Sequence, residues 1–368
     1  MNFLAVFVIL INTIILHIQI LIDKLFLNEE VTMAKIKEIA DKLGISVSTV
    51  SKGLNGASDI SAETRQLVLE TALEMGYVNK RGKSLFGKHI CAVIVRLPYS
   101  NINEYGYEVI SGFRIASAKK NYLVSVITLA DLENADASYD KAMKRLGYDG
   151  AFFIGITRDD AYLEQFRSTR TPTVLFEEYV HNPHVAMVCT DLVEGTYLCV
   201  KHLYEAGHHA IAFINGTDNC LSSQMRMHGY RQALQDFHIP YRPELVASTL
   251  YYPPDSARPR VAELLKAGAT GIVCANDYIA AAVIAEAARL GKKIPKDLSV
   301  IGFDNIPLAS YLNPRLTTIN ENRVEIGYTA LKTLDTLMHG ENVGIYMTHP
   351  EMITRLSTGP VPDRSSKF

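Results

Sequence analysis

The chain has 368 residues, of which 48% are hydrophobic and 21% are charged, and its formal net charge is −2 at pH 7. This composition is that of a globular protein and excludes a disordered chain. The length allows one small and one large domain, or three small ones, each with a sizeable core.

Five cysteines are scattered through the sequence, and no two of them form a CxxC pair. An odd number of isolated cysteines indicates neither a disulfide framework nor a zinc site. We therefore expect a reduced, cytoplasmic protein that holds no metal and no other cofactor.

The first apolar segment, residues 3–22, is FLAVFVILINTIILHIQILI. Its length is close to the roughly 20 residues that cross a bilayer, but it lacks the basic start and cleavage site of a secretory signal. Two interpretations of residues 1–32 remain, a membrane anchor or a non-native extension upstream of a true start at Met33. We favour the extension, because an anchor so close to the next motif would hinder access to a large partner.

Two short helices joined by a tight turn are predicted at residues 34–56, AKIKEIADKLGISVSTVSKGLNG. The apolar side chains of the first helix recur at the spacing of one helical face. Gly44 is placed to end that helix, and Ser46 is a good N-cap for the next. Val50 and Leu54 can then pack inward. This pattern is a helix-turn-helix, whose second helix enters the major groove of DNA.

A third helix is predicted in SAETRQLVLETALEMGY, with Ser61 as N-cap, Val68, Ala72 and Met75 buried, and Asn55 and Gly56 in the preceding loop. Residues 33–78 thus form one compact module. From Met33 to Lys88, nine basic residues stand against six acidic ones, a net charge of +3. Positive charge is therefore concentrated where contact with phosphate is expected.

Residues 79–89 are basic, contain glycine and show no apolar period, as expected of a linker. From residue 90 to 360, short apolar runs alternate with helical patterns, which is typical of parallel sheets flanked by helices. The number of strands favours two doubly wound lobes over one sheet. We expect the chain to cross between the lobes near residues 185–195, 275–280 and 305–318, and residues 361–368 to form a tail.

Polar side chains follow several of the predicted strands: Glu177 after PTVLF, Asn276 and Asp277 after GIVCA, and Asp304 and Asn305 after LSVIGF. Ligands bind at the carboxyl ends of parallel strands, so these residues are candidates for a cleft between the lobes. Carboxylates, amides and a guanidinium match the hydroxyls of a sugar, and an aromatic ring can cover its apolar face. The alternatives are structural, with Asp277 as a helix N-cap and Asn305 capping a turn.

The run IKEIADKLGISVSTVSKGLNG with ISAETRQLVLETALEMGY resembles the DNA-binding module of the lactose-repressor/galactose-repressor family of bacterial transcriptional regulators. Downstream, HLYEAGHHAIAFING, RMHGYRQAL and CANDYIAAAVIAEAARLGKKIPKDLSVIGFDNIPLASYLNPRLTTI keep the family's landmarks in order. The resemblance extends from Met33 to about residue 358. It implies an N-terminal all-α helix-turn-helix domain followed by an α/β core like that of periplasmic binding proteins, built of two doubly wound parallel-sheet lobes.

The resemblance places a set of DNA-contacting residues on the second helix and the linker. In the family, the linker forms a hinge helix on operator DNA and inserts a leucine into the minor groove. This chain departs from that pattern, with a lone Asn79, one residue fewer, and Gly82 in place of an alanine, so a tether without a helix is the alternative. The DNA-binding candidates are Ser46, Val47, Ser48, Thr49, Ser51, Lys52, Asn55 and Leu85.

For the effector, Arg226, Asn276 and Asp304 match contacting positions of the family, and Glu177 and Tyr252 match such positions more loosely. No catalytic signature such as GxSxG or HExxH is present. We expect no enzyme but a regulator, in the repressor role, that binds operator DNA as a homodimer and responds to a small, sugar-like effector, with no membrane partner. The alternative is a membrane-anchored sugar-binding receptor, which leaves the helix-turn-helix without a purpose.

Overall fold

The computed structural model describes residues 36–55, 87–102, 104–250 and 254–362, together with single positions between 60 and 75. The chain divides into two compact units, Met1–Leu85 and Phe86–Phe368, and the division falls inside the predicted linker. The apolar segment at residues 1–32, most of the linker and residues 363–368 lie outside the described residues. Within the described ranges, no helix is long and apolar enough to cross a bilayer.

The first unit contains helix α1 (Ile36–Leu43) and helix α2 (Val47–Asn55), as predicted. Positions 64, 67, 68, 71 and 72 are also helical, which agrees with the predicted third helix. The buried side chains of this unit come from all three segments: Ile39, Ala40, Val50, Val68 and Ala72. One boundary was predicted wrongly, because Asn55 is the last residue of α2 and not part of the loop.

The second unit is built from strands that alternate with helices. The strands are β1 (His89–Ile94), β2 (Leu123–Thr128), β3 (Gly150–Ile154), β4 (Thr173–Phe176), β5 (Val185–Thr190), β6 (Ile211–Asn215), β7 (Val246–Ser248), β8 (Gly271–Cys274), β9 (Ser299–Asp304), β10 (Thr317–Asn320), β11 (Ile345–Thr348) and β12 (Glu351–Ile353). The helices are α3 (Tyr105–Lys119), α4 (Leu129–Ala135), α5 (Tyr139–Leu146), α6 (Tyr162–Phe166), α7 (Leu192–Glu205), α8 (Leu221–Asp236), α9 (Arg258–Lys266), α10 (Asp277–Arg289), α11 (Leu308–Tyr311) and α12 (Arg323–Met338).

These strands form two sheets, which we call the first and the second lobe with their covering helices. The first sheet has the order β11-β5-β4-β3-β1-β2 and the second the order β12-β10-β9-β8-β6-β7. Within the described ranges, every strand pair is parallel except β10 with β12. The predicted architecture of two doubly wound lobes is therefore confirmed.

Alternate side chains of each central strand enter cores on opposite faces of its sheet. In β1, Ile90 and Ala92 pack into the core beneath α3 and α12, while Cys91 and Val93 pack into the core beneath α5 and α6. The second sheet is likewise buried on both faces. Burial on both faces is the reason that these strands are near-continuous apolar runs instead of alternating ones.

The chain passes between the lobes at residues 191, 321–322 and 349–350, where β5 leads to α7, β10 to α12 and β11 to β12. The crossover expected near 185–195 is correct. Those expected near 275–280 and 305–318 are wrong, because β8, α10, β9 and β10 all belong to the second lobe. The second lobe also extends past the predicted boundary at residue 360, since the amide of Val361 donates a hydrogen bond to the carbonyl of Ala206.

Glycines allow one helix pair in each lobe to cross at very short range. In the first lobe, a Cβ on Gly112 of α3 would meet the carbonyl oxygen of Val324 in α12. In the second lobe, a Cβ on Gly229 of α8 would meet the carbonyl oxygen of Val193 in α7. Because a backbone carbonyl cannot rotate away, only a residue without a side chain fits these two positions.

We expect Gly112→Ala to lower the free energy of unfolding by about 1–3 kcal/mol, because overpacking against backbone outweighs the gain of about 1 kcal/mol in helix propensity. The matched control is Gly344→Ala, where an added Cβ meets nothing within 4 Å. Thermal melting of both variants tests this prediction. Equal melting temperatures for the two variants would show that the helix pair tolerates a wider crossing.

Candidate functional site

The turn between α1 and α2 is fixed by a glycine and a serine, as the sequence predicts. Gly44 has a φ of +65°, and the amide of Ile45 donates back to the carbonyl of Ala40 at 3.1 Å, which closes α1. Ser46 Oγ accepts a hydrogen bond from the amide of Thr49 at 3.0 Å and therefore caps α2. The orientation of α2 against α1 is thus determined by local hydrogen bonds as well as by the core.

The structure brings most of the DNA-binding candidates onto one end of α2. Ser46, Val47, Ser48 and Lys52 are exposed, and Val47 retains 48% of its surface. Thr49 and Ser51 are half-buried, and Thr49 Oγ1 shares a hydrogen bond with Ser46 Oγ at 2.8 Å. Asn55 ends the helix, and Leu85 lies outside the described residues.

Gly53, which the sequence analysis did not single out, helps to hold α2 in place. Gly53 in α2 is buried, and a Cβ there would lie 3.0 Å from a methyl carbon of Val68. A small residue at this position lets the third helical segment approach α2 closely. The signal was present as a glycine inside a helical pattern, which often has a packing reason.

Between the two lobes lies a cavity of about 330 Å³. The loops after β1, β3 and β4 line it from the first lobe, and the loops after β6, β7, β8 and β9 line it from the second. This is where carboxyl ends of parallel strands meet, the usual place for a ligand in such sheets. Four of the predicted effector residues line it: Glu177, Arg226, Asn276 and Asp304.

Arg226 extends from α8 into the wall of the cavity and is only 4% exposed. Its guanidinium lies over the ring of Phe303, 4.8 Å from the ring centre. The same positive charge acts to lower the pKa of both Glu177 and Asp304. Arg226 therefore links the two predicted carboxylates electrostatically, one from each lobe.

Asp304 ends β9 with a φ of +99°, a conformation that is unusual for a residue with a side chain. Burial, together with the charges of Glu321 and Asp277, holds the pKa of its carboxyl well above the usual range. Its backbone carbonyl accepts a hydrogen bond from Arg323 Nη1. Such backbone strain and electrostatic perturbation at a cleft are typical of a binding site.

Glu177 follows β4 and also has a positive φ, +58°. Burial raises the pKa of its carboxyl to about 7, and the charge of Glu321 adds to the effect. The opposing influences come from the second lobe, namely the charge of Arg226 and a hydrogen bond with the hydroxyl of Ser222. Glu177 is thus a carboxyl of the first lobe whose neighbours include residues of α8 in the second.

Asn276, and not Asp277, caps the helix that follows β8. Asn276 is the N-cap of α10, because its Oδ1 accepts from the amide of Ile279 at 2.8 Å. Asp277 was predicted wrongly as that cap. It is fully buried and accepts hydrogen bonds from the Thr318 hydroxyl at 2.6 Å and from the Ile306 amide at 2.9 Å, and burial raises the pKa of its carboxyl to about 7.

Of the two remaining candidates, one lies away from the cavity and the other is not among the described residues. Asn305 is bound within the second lobe, where its Oδ1 accepts from Arg355 at 2.7 Å, so it does not line the cavity. Tyr252 lies outside the described residues.

The first lobe contributes an apolar wall. The sequence leaves open whether Tyr105 lines the cleft or packs in the core, and it does not identify the other residues of this wall. Leu97, Tyr105, Ile156 and Phe176 line the cavity, and the hydroxyl of Tyr105 donates to Glu321 Oε2 at 2.5 Å. The phase of α3 could have identified Tyr105, because Tyr105 and Val109 share the buried face of that helix, whereas Tyr107 is 40% exposed.

The helix-turn-helix unit and the two-lobed unit with its cavity define a class of protein, a DNA-binding protein with a separate ligand-binding domain. Residues 35–79 match the model of bacterial regulatory proteins, lacI family, and residues 200–358 match that of the periplasmic binding protein-like domain. The chain is 30% identical over 337 residues to the HTH-type transcriptional repressor CytR of Escherichia coli (strain K12), covering 90% of this chain and 98% of the relative.

The fold is also that of solved regulators. The Lac repressor dimer bound to operator and the anti-inducer ONPF superimposes with a TM-score of 0.70 at 22% identity, over 89% of this chain and all of the other. The transcriptional regulator CelR in its cellobiose complex gives a TM-score of 0.65 at 22% identity, over 88% of this chain and 99% of the other. The chain belongs to the lacI family of bacterial regulatory proteins, and it is a DNA-binding transcriptional regulator.

The capping role of Asn276 predicts the effect of its substitution. Asn276→Ala should lower the free energy of unfolding by about 0.5–2 kcal/mol, because the amide of Ile279 loses its acceptor. Asn276→Ser should recover most of this loss, since a serine hydroxyl caps a helix nearly as well. Thermal melting without any ligand measures both. A loss of the same size in the serine variant would mean that the cap contributes little.

Proposed function

We propose that this chain represses transcription by binding operator DNA as a homodimer, and that a small effector rich in hydroxyl groups controls this binding from the cavity between the lobes. The observation that carries the proposal is the convergence of Glu177, Arg226 and Asp304 on one cavity at the ends of parallel strands. Carboxylates and a guanidinium pair well with neighbouring hydroxyls. The cavity volume of about 330 Å³ suits a monosaccharide-sized ligand with its water.

On DNA, we assign the reading of base edges to Val47, Ser48 and Lys52, which are exposed on α2. Ser46, Thr49, Ser51 and Asn55 would contact the phosphate backbone, which positions the protein without reading sequence. One such helix contacts few bases, so two copies at about 34–36 Å are needed to read an operator. We propose that Leu85 enters the minor groove between them.

Lys52→Ala should weaken binding to a duplex selected from genomic DNA by the wild-type protein, on the order of 10-fold. The matched control is Lys37→Ala, which removes an equal charge from an exposed position on α1. Mobility-shift titrations at one fixed salt concentration measure both variants. Equal affinities for Lys52→Ala and the wild-type protein would contradict the proposed contact between Lys52 and the bases.

The effector site is tested with a panel of sugars and nucleosides in a thermal-shift assay. A ligand that binds the native state raises the melting temperature with the logarithm of its concentration. Asp304→Asn should lose most of the shift, because the amide NH2 group donates where a carboxyl oxygen can accept. Glu263→Gln, which changes an exposed carboxylate on α9, should keep the shift.

The same ligands are then added to operator-binding titrations. A coupling of about 1–3 kcal/mol would change operator affinity by about 5- to 150-fold, and its sign would distinguish an inducer from a corepressor. A ligand that shifts the melting temperature through Asp304 but leaves operator affinity constant would contradict control from this cavity.

A further inference from the structure

Glu177 stands out because its charge is poorly balanced by the groups around it. The groups that act on it are Ser222 and Arg226 of α8 and Glu321 of the connection after β10. Arg226 supplies the positive charge, but it acts on Asp304 as well. Asp304 has Arg323 as a second opposing cation, whereas among the described residues Arg226 is the cation that acts on Glu177.

The other arginines close to the cavity are engaged by their own carboxylates. Arg96 binds Asp160 through both terminal nitrogens, at 2.6 and 2.7 Å. Arg323 Nη2 lies 2.5 Å from a carboxylate oxygen of Glu108. Arg323 also acts on Asp304 and Glu321, so of these three carboxyl groups Glu177 is the one that is opposed by Arg226 and not by Arg323.

Among the described residues that line the cavity, the remaining cation is Arg96, whose charge is balanced by Asp160. The first lobe contributes Leu97, Tyr105, Ile156 and Phe176, which are apolar surfaces. Behind Tyr105, Oε1 of Glu321 is buried and has no hydrogen-bond partner within the described part of the chain. When Glu177 is ionised, a phosphate or carboxylate entering this space would lose its water beside a like charge, which is unfavourable.

We infer that the cavity accepts uncharged or amine-bearing effectors and excludes anionic ones, and that Glu177 is the residue that sets this selectivity. The inference rests on the proposed function, because it assigns the charge of the effector to the cavity named there. A hydroxyl or a protonated amine can donate to the ionised carboxylate of Glu177, whereas that carboxylate repels a phosphate.

The raised pKa of Glu177 also predicts a pH dependence of stability that can be measured without a ligand. Its pKa in the folded protein is about 7, above the ordinary value of 4.5, so the folded state holds the proton more tightly than the unfolded state does. The stability that this proton contributes is present at low pH and is lost as the pH rises from about 4.5 through about 7. The ionised form of Glu177 should therefore destabilise the folded protein at pH 8.

The first experiment compares the melting temperatures of wild-type protein and Glu177→Gln at pH 6 and pH 8. Relative to the wild-type protein, the variant should gain about 2–4 °C between pH 6 and pH 8, because glutamine has no charge to bury. Asp277 and Asp304 titrate in both proteins, so their contributions largely cancel in the difference. Glu164→Gln, whose side chain is 83% exposed, should show no such gain.

The second experiment uses three sets of probes, and the members of each set share one sugar ring. The sets are glucose, glucosamine and glucose 6-phosphate; galactose, galactosamine and galacturonate; and ribose with ribose 5-phosphate. Uncharged and amine-bearing members should shift the melting temperature of the wild-type protein, and anionic members should not. Glu177→Gln should gain affinity for the anionic partner of any sugar that binds, on the order of 10-fold.

Three outcomes separate the possibilities. An anionic probe that binds the wild-type protein more tightly than its neutral parent overturns the inference and leaves the effector site in place. Identical pH dependence of wild-type protein and Glu177→Gln also overturns it, because Glu177 would then carry no unbalanced charge. Operator binding that ignores every bound probe overturns the proposed function instead, and the pH comparison still decides the charge balance.

Discussion

Burial of both faces of two parallel sheets is the constraint on which the second unit depends. Because helices cover each sheet on both sides, the middle of every central strand must be apolar, as in GAFFI of β3 and GIVC of β8. Polar side chains can then reach a ligand where strands end. Both lobes present their carboxyl ends to the same cavity, so Glu177 of one lobe and Asp304 of the other come together around Arg226.

The sequence predicted this placement because local patterns specify it. The apolar period, Gly44 and Ser46 predict the helix-turn-helix, and a polar residue after an apolar run predicts a strand end. It failed at the crossovers, because strands of both lobes have the same apolar composition and their sheet membership depends on pairing between distant residues. The passage at residues 321–322 is fixed only when β10 pairs with β9 and α12 packs on α3.

The candidate site was predicted in its polar residues but not in its electrostatics. Single residues such as Glu177 can be placed at a strand end from sequence. The pKa of its carboxyl, however, is raised by burial and by the charge of Glu321 and lowered by Arg226 and Ser222 of α8, which are far away in the chain. Asn276 and Asp277 show the same limit. Either residue can cap a helix, and only the contact of Asp277 with Thr318 of β10 decides that Asn276 is the cap.

Arg323 gives the cavity a direct connection to the other lobe. Its guanidinium donates to the backbone carbonyls of Asp304 and Asn305 in the second lobe and pairs with Glu108 on α3 in the first. Arg323 is only 5% exposed, and a buried ion pair of this kind is costly to break, so its partners are expected to move together. A ligand that moves Asp304 would therefore also act on Glu108 of α3, because Arg323 contacts both residues. Because α3 packs against α12 at Gly112, without a side chain between the helices, that displacement would be shared by the helix pair that covers one face of the first sheet.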